Sequence, residues 1–516
     1  MDKGIIAAGH KETARIGAEI LKAGGNAFDA AIGAMIAACV CESATISLGG
    51  GGFLLAQQAN QKTTLYDFFT QTPSNKKAYQ NRIRDFYKIP VNFGDTVQYF
   101  HVGLASMAVP GNVAGAFYVH QQLGRMPFNE IVQPTIDLAK KGMPLDAFQV
   151  DLLHMLQPIV LNSDIGKSIF ADEKGNLKKE GAFVKIPHID DALYYLANNG
   201  PREFYEGEMA QKLVQDCAEK GGFLTIDDMK NYRVIERKPL EINYRNYTLL
   251  TNPPPSAGGA LIAFSLALLN RYNLKEKYTW GSKEHLRLLA EVMQVTNEAR
   301  AKGFDHLIQQ PEVQEAFLGH ENVAFYAEKV ASKVGSTTQI SVADAKGNSA
   351  SLTLSSGEGT GYYIPNTGIM MNNMLGEEDL NPNGFHQWVN NQRMSSMMAP
   401  TIMCNEKGLP IVLGSSGSNR IRTAIVQVLS NIVDFGMPIK IAVQAQRLHT
   451  ENKVASFEKG WNENVIESIR FPNDWKKNSW QKRSMFFGGV NAVLSQQKTT
   501  FAGAGDNRRN GQVVLV

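Results

Sequence analysis

The chain has 516 residues, of which 43% are apolar, and it carries a formal net charge of +3 at pH 7. A chain of this length forms roughly two to four domains or one large two-part fold, with enough apolar residues for a sizeable core. The small net charge and the lack of long runs of like charge argue against a nucleic-acid-binding surface.

Four cysteines, Cys39, Cys41, Cys217 and Cys404, are scattered along the chain without zinc-type spacing, and the ten histidines form no metal-binding motif. Neither a metal nor another cofactor is therefore expected. Without a disulfide framework, the sequence fits a reducing compartment. The first residues do not read as a signal peptide, and the most apolar stretch, 30–40, is too short to span a bilayer. These features predict a cytoplasmic protein that does not bind a membrane.

The first 70 residues predict a strand, two helices and a hairpin. The strand is GIIAAGH, from Gly4 to His10, and apolar residues at helical spacing predict two helices within 11–43, separated by Gly24 and Gly25. A glycine run then leads into a strand, and the segment 63–69 is its predicted hairpin partner.

The rest of the chain changes character near Thr337. Residues 75–330 are predicted to be mostly helical, whereas 337–354 alternates as a hairpin with a turn at 344–348. More strands are predicted near 397–403, 410–413, 489–494 and 511–516, with a helix over 421–435. This order lacks the strict alternation of a doubly wound sheet and predicts two layered sheets covered by helices.

Two glycine-rich segments are candidate loops for binding anions. The segment SLGGGGF (47–53) lacks the ending of a phosphate-binding loop and does not precede a helix, so nucleotide binding is not predicted. The segment GSSGSNR (414–420) joins a predicted strand to a predicted helix. Its free backbone N–H groups at a helix start can form an oxyanion hole, or the loop can be a plain helix entry. The residues alone leave both interpretations open.

Adjacent hydroxyl residues, Thr337 and Thr338, open the predicted hairpin. Both are good strand formers, so they are either structural or one of them is a nucleophile. A Thr hydroxyl needs a base, and a free α-amine on the same residue, with a pKa of about 7.7–8.0, can serve. That amine exists inside a chain only if the bond between Ser336 and Thr337 is cut.

A series of segments in a fixed order resembles the γ-glutamyltranspeptidases, a branch of the N-terminal-nucleophile hydrolases. The segments are ILKAGGNAFDAAIGA, GGGGFLL, VPGNVAGAF, GRMPFNEIVQPTIDLAKKG, GGFLTIDDM, PPPSAGGALI, HLRLLAEVM, TTQISVADAKGNSASLTL, GIMMNNML, RMSSMMAPTI and GSSGSNRI. One such motif would be weak, but this many in order over about 500 residues are specific.

The resemblance implies an α+β fold of the four-layer αββα type, made as a precursor that cleaves itself. The segments 1–336 and 337–516 would then be the two fragments of one intertwined fold. Thr337 would be the nucleophile with its own amine as the base, and Ser355 would take the place of a Thr that supports this amine. The backbone N–H groups of Gly417 and Ser418 would form the oxyanion hole.

The same resemblance places five residues in the substrate pocket. Phe69 stands where the family has the Arg that binds the glutamyl α-carboxylate, and a phenyl ring cannot replace a bidentate guanidinium. Ser395 and Ser396 keep the family's hydroxyls, and Met374 replaces a Gln or Glu. Glu377 falls where an Asp holds the substrate's ammonium group.

Three functions remain open on the sequence. The first is an amidohydrolase or acyltransferase of this family that acts on a small-molecule amide whose acyl group need not be γ-glutamyl. The second is a γ-glutamyl hydrolase or transpeptidase that uses another cation, such as Arg82 or Arg84. The third is an uncleaved relative that only binds ligands. The sequence leaves open whether the protein forms a homo-oligomer.

Overall fold

A computed structural model describes residues 2–59, 63–74, 83–92, 97–300, 304, 307–310, 312–318, 337–381, 384–472, 474–497 and 499–516. Ser336 and Arg82, both named above, lie outside these ranges. Within them, no helix combines the length and apolar character needed to cross a bilayer.

Strands recur along the whole described chain. They are β1 (Gly4–Ala8), β2 (Gly51–Gln57), β3 (Thr64–Phe68), β4 (Tyr87–Asn92), β5 (Val97–Val102), β6 (Met143–Pro144), β7 (Phe183–Val184), β8 (Ile235–Arg237), β9 (Leu240–Tyr244), β10 (Tyr247–Thr251), β11 (Thr338–Asp344), β12 (Ser349–Ser355), β13 (Thr401–Cys404), β14 (Pro410–Ser416), β15 (Leu448–Glu451), β16 (Val454–Phe457), β17 (Lys476–Ser479), β18 (Gly489–Gln497), β19 (Thr500–Ala504) and β20 (Gln512–Leu515).

The helices are concentrated before residue 320. They are α1 (Lys11–Ala23), α2 (Ala27–Cys41), α3 (Asn112–Leu123), α4 (Phe128–Lys141), α5 (Ala147–Val160), α6 (Asp164–Phe170), α7 (Ile189–Asn199), α8 (Arg202–Tyr205), α9 (Glu208–Lys220), α10 (Ile226–Asn231), α11 (Ala257–Asn270), α12 (Leu274–Lys277), α13 (Lys283–Ala299), α14 (Val313–Leu318), α15 (Arg420–Val433), α16 (Ile439–Gln444) and α17 (Glu463–Ser468).

Two large sheets form the centre of the described fold. The first has the strand order β20-β1-β11-β12-β2-β3-β8 and the second has the order β19-β18-β14-β13-β10-β9. The sheets contact each other through β11 and β12 on one side and β14 and β18 on the other. Helices α1 and α2 pack on the outer face of the first sheet, and α11 and α15 pack on the second. This is the predicted four-layer αββα arrangement.

Strands from both sides of position 337 enter both sheets. In the first sheet β1 pairs with β11 and β20, and β12 pairs with β2. In the second sheet β10 pairs with β13. Described strands from before and after position 337 are therefore interleaved in both sheets.

Local chemistry explains the elements next to the site. Asn26 caps α2 by accepting the Phe28 and Asp29 N–H groups, and the Asp29 carboxylate accepts the N–H of Asn26 in return. In the β11–β12 turn, the carboxylate of Asp344 accepts the N–H groups of Lys346 and Asn348. This turn fixes the register of the hairpin that begins at residue 337.

The secondary structure predicted for the first 70 residues and for the hairpin after Thr337 is confirmed. The prediction of a mostly helical 75–330 missed the short strands β4 to β10. Of these, β8, β9 and β10 join the edges of the two large sheets, where tertiary pairing decides their conformation.

Candidate active site

The side chain of Thr337 faces the second sheet, because side chains alternate along a strand. Two residues further along, the side chain of Gln339 lies against Gly414 of β14 in the second sheet. A Cβ atom built on Gly414 would be 2.1 Å from Gln339 Oε1. Ser341 donates to the backbone oxygen of Asn491 in β18. Ile340, by contrast, packs in the core with α2. Residues 337 and 339 are two positions apart in extended backbone, so their side chains point to the same side. Thr337 therefore faces β14 and the turn that follows it.

Ser355 and Thr337 flank the open end of the β11–β12 hairpin. The last pair of the ladder sets Thr338 opposite Leu354, Thr337 precedes this pair in the chain and Ser355 follows it, and both residues line the same cleft. The Ser355 hydroxyl accepts the N–H of Gly357 at 3.0 Å, which holds it at the end of β12.

The turn after β14 carries the backbone N–H groups of Gly417 and Ser418, and Ser418 lines the cleft described below. Gly417 has a φ of 113° and Ser418 has a φ of 49°, both in the left-handed region. Within the described part of the chain, neither N–H donates to a protein acceptor. The turn leads directly into α15, whose N-terminus adds positive potential. The hydroxyl of Ser418 donates to Asp379 Oδ2 at 2.8 Å, and this hydrogen bond offsets part of the conformational cost of its left-handed backbone.

A cleft of about 390 Å³ brings most of the predicted site residues together. Its described lining includes Phe69, Thr337, Ser355, Met374, Glu377, Ser396 and Ser418. Sequence reasoning missed the other described lining residues, Asp379, Leu380, Met397, Met398 and Ile421. Gly417 and Ser395 adjoin lining residues in the chain but are not part of the lining. The family motifs point to single positions in the sequence. The missed residues line the cleft because of the way the chain folds around it, which the motifs do not show.

Two carboxyl groups give the cleft an acidic end. Burial, with the nearby carboxyls of Glu358 and Asp379, raises the pKa of Glu377 well above its ordinary value. Its Oε1 atom is buried and has no hydrogen-bond partner among the described residues. Burial also raises the pKa of Asp379, against the opposing effects of the Ser418 hydroxyl and Arg300.

No cation is part of the described lining of the cleft. Phe69 is 1% exposed and its ring stacks on Phe53 at 5.3 Å. Arg393 lies behind it, but this guanidinium is bonded to the Phe69 carbonyl, to the Tyr232 hydroxyl and to the Arg233 carbonyl. Arg84 instead lies over the Phe223 ring, at 5.7 Å from its centroid.

His449 and the cysteines do not take part in the cleft. The ring of His449 is hydrogen-bonded to Thr423 and to Glu451, and burial lowers its pKa to about 4. Among the described residues, no group of histidines, cysteines and carboxylates could hold a metal ion. The chemistry available in the cleft is therefore that of hydroxyls, carboxyls and backbone N–H groups.

Sequence reasoning also missed a carboxyl on the other face of β11. Glu42 follows α2 and accepts hydrogen bonds from the hydroxyls of Thr13 and Thr338. Burial raises the pKa of Glu42 to about 7, and those two hydroxyls oppose the shift. Thr338 is thereby occupied with Glu42, which leaves Thr337 as the hydroxyl that faces the cleft.

Comparison with known proteins identifies the family. The sequence profile of the Gamma-glutamyltranspeptidase family matches residues 13–516. The chain is 31% identical to the glutathione hydrolase proenzyme of Escherichia coli over 87% of this chain and 81% of that protein. It is 27% identical to the acylase ACY 1 proenzyme of Pseudomonas sp. strain V22 over 100% of this chain and 94% of that protein. The crystal structure of a cephalosporin acylase from Bacillus halodurans, 23% identical, superimposes with a TM-score of 0.86 over 99% of this chain and 96% of that chain. The chain therefore belongs to the γ-glutamyltranspeptidase family.

Proposed function

We propose that this protein is a self-processing amidohydrolase that uses Thr337 as an N-terminal nucleophile and acts on amides whose acyl group is not γ-glutamyl. One observation carries the proposal. Thr337 immediately precedes β11 and lines one cleft with Ser355 and with Ser418, which lies in a turn whose Gly417 and Ser418 N–H groups have no acceptor among the described residues.

Self-processing comes first. The hydroxyl of Thr337 attacks the carbonyl carbon of Ser336, the C–N bond between the two residues breaks, and the nitrogen takes the hydroxyl proton. Water then hydrolyses the resulting ester and releases the carboxylate of Ser336. The products are the segments 1–336 and 337–516, and Thr337 now carries a free α-amine.

In turnover this amine is the base. It takes the proton of the Thr337 hydroxyl as the oxygen attacks the substrate amide, and it then returns the proton to the leaving nitrogen. The N–H groups of Gly417 and Ser418 donate to the oxyanion, and such a donor contributes about 10²–10³-fold to kcat. Ser355, at the end of β12, orients the amine. Water or an acceptor amine then attacks the ester carbon and frees Thr337.

The acyl preference follows from the lining of the cleft. A γ-glutamyl group carries an α-carboxylate, and each charge-assisted hydrogen bond to such a group is worth about 1.5–3 kcal/mol. The cleft offers Phe69 and two acidic side chains where that carboxylate would lie. A carboxylate there would lose its hydration without a cationic partner among the described lining residues, which is unfavourable. One relative is named an acylase and not a glutathione hydrolase, which supports an acyl group other than γ-glutamyl.

Denaturing electrophoresis with N-terminal sequencing tests the processing step. The purified protein should separate into fragments of 336 and 180 residues, the smaller beginning Thr-Thr-Gln. Thr337→Ala should stay whole and inactive, and Thr337→Ser should still be cleaved. Thr338→Ala is the matched control, since it removes the adjacent hydroxyl and should still be cleaved. Wild-type protein that stays whole on long incubation would contradict the proposal.

A second function, hydrolysis of γ-glutamyl amides themselves, is favoured by Glu377 and Ser396, which line the cleft. Paired anilides separate the two. We expect butyryl anilide, which has no carboxylate, to be turned over with the higher kcat/KM. Saturable turnover of γ-glutamyl anilide at a kcat/KM above that of butyryl anilide would establish the second function instead.

A further inference from the structure

A second and larger cavity opens on Thr337 from the other side. The space inside it, including the part that is open to solvent, is about 730 Å³, and Thr337 is the only described residue that lines both this cavity and the acyl cleft. Most of its wall is apolar and comes from α5, α6 and their neighbours: Met143, Leu145, Phe148, Leu152, Leu153 and Phe170. Apolar walls with a few polar groups are typical of small-molecule sites.

His10 supplies an unused hydrogen-bond donor to this cavity. It is 2% exposed and caps α1, because its Nδ1 atom accepts the N–H of Glu12 at 3.2 Å. That bond leaves the proton of the neutral ring on Nε2. Burial lowers the pKa of His10, so the ring is neutral at pH 7. The Nε2 atom is buried and meets no acceptor among the described residues at hydrogen-bond distance and angle; Asp146 Oδ2 lies 3.7 Å from it, and the side chain of Gln149 also interacts with the ring.

Glu42 adds a second polar group near the nucleophile. Its carboxyl group lines the cavity beside Thr338, and the Gly9 backbone lies so close that a Cβ there would be 2.8 Å from Glu42 Oε2. A carboxyl group at this place can accept hydrogen bonds from a ligand N–H and can pair with an ammonium group. The cavity therefore offers an acceptor near Thr337, a donor at His10 and an apolar wall.

We propose that this cavity binds the amine half of the amide substrate, an amine with an apolar ring-sized body and a hydrogen-bond acceptor that reaches His10. The proposal rests on the proposed function, since it needs an amide at Thr337. It adds a second specificity site, which selects the leaving group and any acceptor amine.

The positions of the two cavities decide which half lies where. The carbonyl carbon under attack must lie at the Thr337 hydroxyl, with its oxygen toward the N–H groups of Gly417 and Ser418. Ser418 lines the smaller cleft and Ser416 lines the larger cavity, so the turn stands between them. The acyl and nitrogen substituents leave the carbon in different directions. With the acyl chain in the cleft beside Ser355, the nitrogen substituent enters the larger cavity.

The probe is 7-amino-4-methylcoumarin, a fluorescent bicyclic amine with a carbonyl acceptor. We expect it to bind the purified protein saturably at one site per chain. Leu152→Trp should fill the cavity and weaken binding at least tenfold. Gln157→Trp is the matched control, since it adds the same ring on the exposed face of the same helix and should change nothing.

His10→Asn is a second, milder variant. Asparagine keeps the helix cap but removes the imidazole donor. It should weaken binding of the coumarin amine about three- to tenfold, the equivalent of one neutral hydrogen bond. Binding of 2-naphthylamine, which lacks the carbonyl acceptor, should not change. Equal losses for both probes would contradict the role of His10.

Turnover completes the test. In a series of amides that share one acyl group, Leu152→Trp should raise KM more as the amine grows. If its effect instead follows the size of the acyl group, or if the coumarin amine binds Leu152→Trp as well as wild type, the proposal is overturned. Binding of the coumarin amine needs no catalysis, so a failure of the amine-site proposal can be told from a failure of the proposed function. Amine binding without processing or turnover would contradict the proposed function alone.

Discussion

Glu42 should make the stability of this fold depend on pH in a direction opposite to that of most carboxylates. Burial raises the pKa of Glu42 from its ordinary value of 4.5 to about 7 in the folded chain. Between these two values the folded chain holds a proton that the unfolded chain has released. The free energy of unfolding therefore falls as pH rises through this window, and it is constant above pH 7 and below pH 4.5 as far as Glu42 is concerned.

The size of the effect follows from the shift in pKa. One pKa unit corresponds to about 1.36 kcal/mol, so the full window is worth about 3 kcal/mol. This is an upper bound, because the side chain keeps some contact with the cavity. The groups that face Glu42 are the hydroxyls of Thr13 and Thr338 and the more distant carboxylate of Asp146. Replacement of Glu42 by Gln removes the titration and keeps the hydrogen-bonding shape.

Urea unfolding at pH 5 and pH 8 measures the effect, with Thr337→Ala as the background so that one uncut chain unfolds. From pH 5 to pH 8, the free energy of unfolding should fall by up to about 2.5 kcal/mol more in the protein with Glu42 than in Glu42→Gln. Glu19→Gln, at the surface of α1, controls for the loss of a formal charge. If Glu42→Gln shows the same pH dependence as its parent, Glu42 is ionised in the fold and the reasoning fails.

Three further predictions concern selectivity, geometry and stability. Phe69→Arg should raise kcat/KM for γ-glutamyl anilide about 10–100-fold relative to butyryl anilide, through one charge-assisted bond, whereas Phe69→Leu should not. Ser418→Val should lower kcat by about 10²-fold, because a β-branched residue does not adopt a φ of 49°, whereas Ser418→Gly should keep most activity. Glu458→Gln leaves the buried guanidinium of Arg508 without its main partner. It should lower the free energy of unfolding in urea by about 3–5 kcal/mol, and the double variant Glu458→Leu, Arg508→Met should recover part of this loss.

Much of the fold could be predicted from local patterns. The α1–α2 pair was visible because apolar spacing, a glycine break and the cap at Asn26 all agree with the helices found. The β11–β12 hairpin was visible because strict alternation flanks the Asp344 turn. Strands such as β9 and β10 were missed, since their conformation depends on pairing with each other and with β13 at the edge of a distant sheet.

The candidate site divides in the same way. Motif order singled out Thr337, Ser355, Phe69 and Glu377, and these residues line one cleft although they lie far apart in the chain. No motif marked Glu42 or His10, whose importance comes from burial and from an unused hydrogen-bond donor.

The sequence by itself determined the family, the hairpin that begins at Thr337 and the absence of an arginine at position 69, because these depend on residue identity, order and local spacing. Only the tertiary structure decided that Thr338 is held by Glu42 while Thr337 faces the Gly417–Ser418 turn, and that two cavities meet at one hydroxyl. The physical reason is that burial, pKa shifts and cavities arise from segments hundreds of residues apart, whose contact depends on how the two sheets pack.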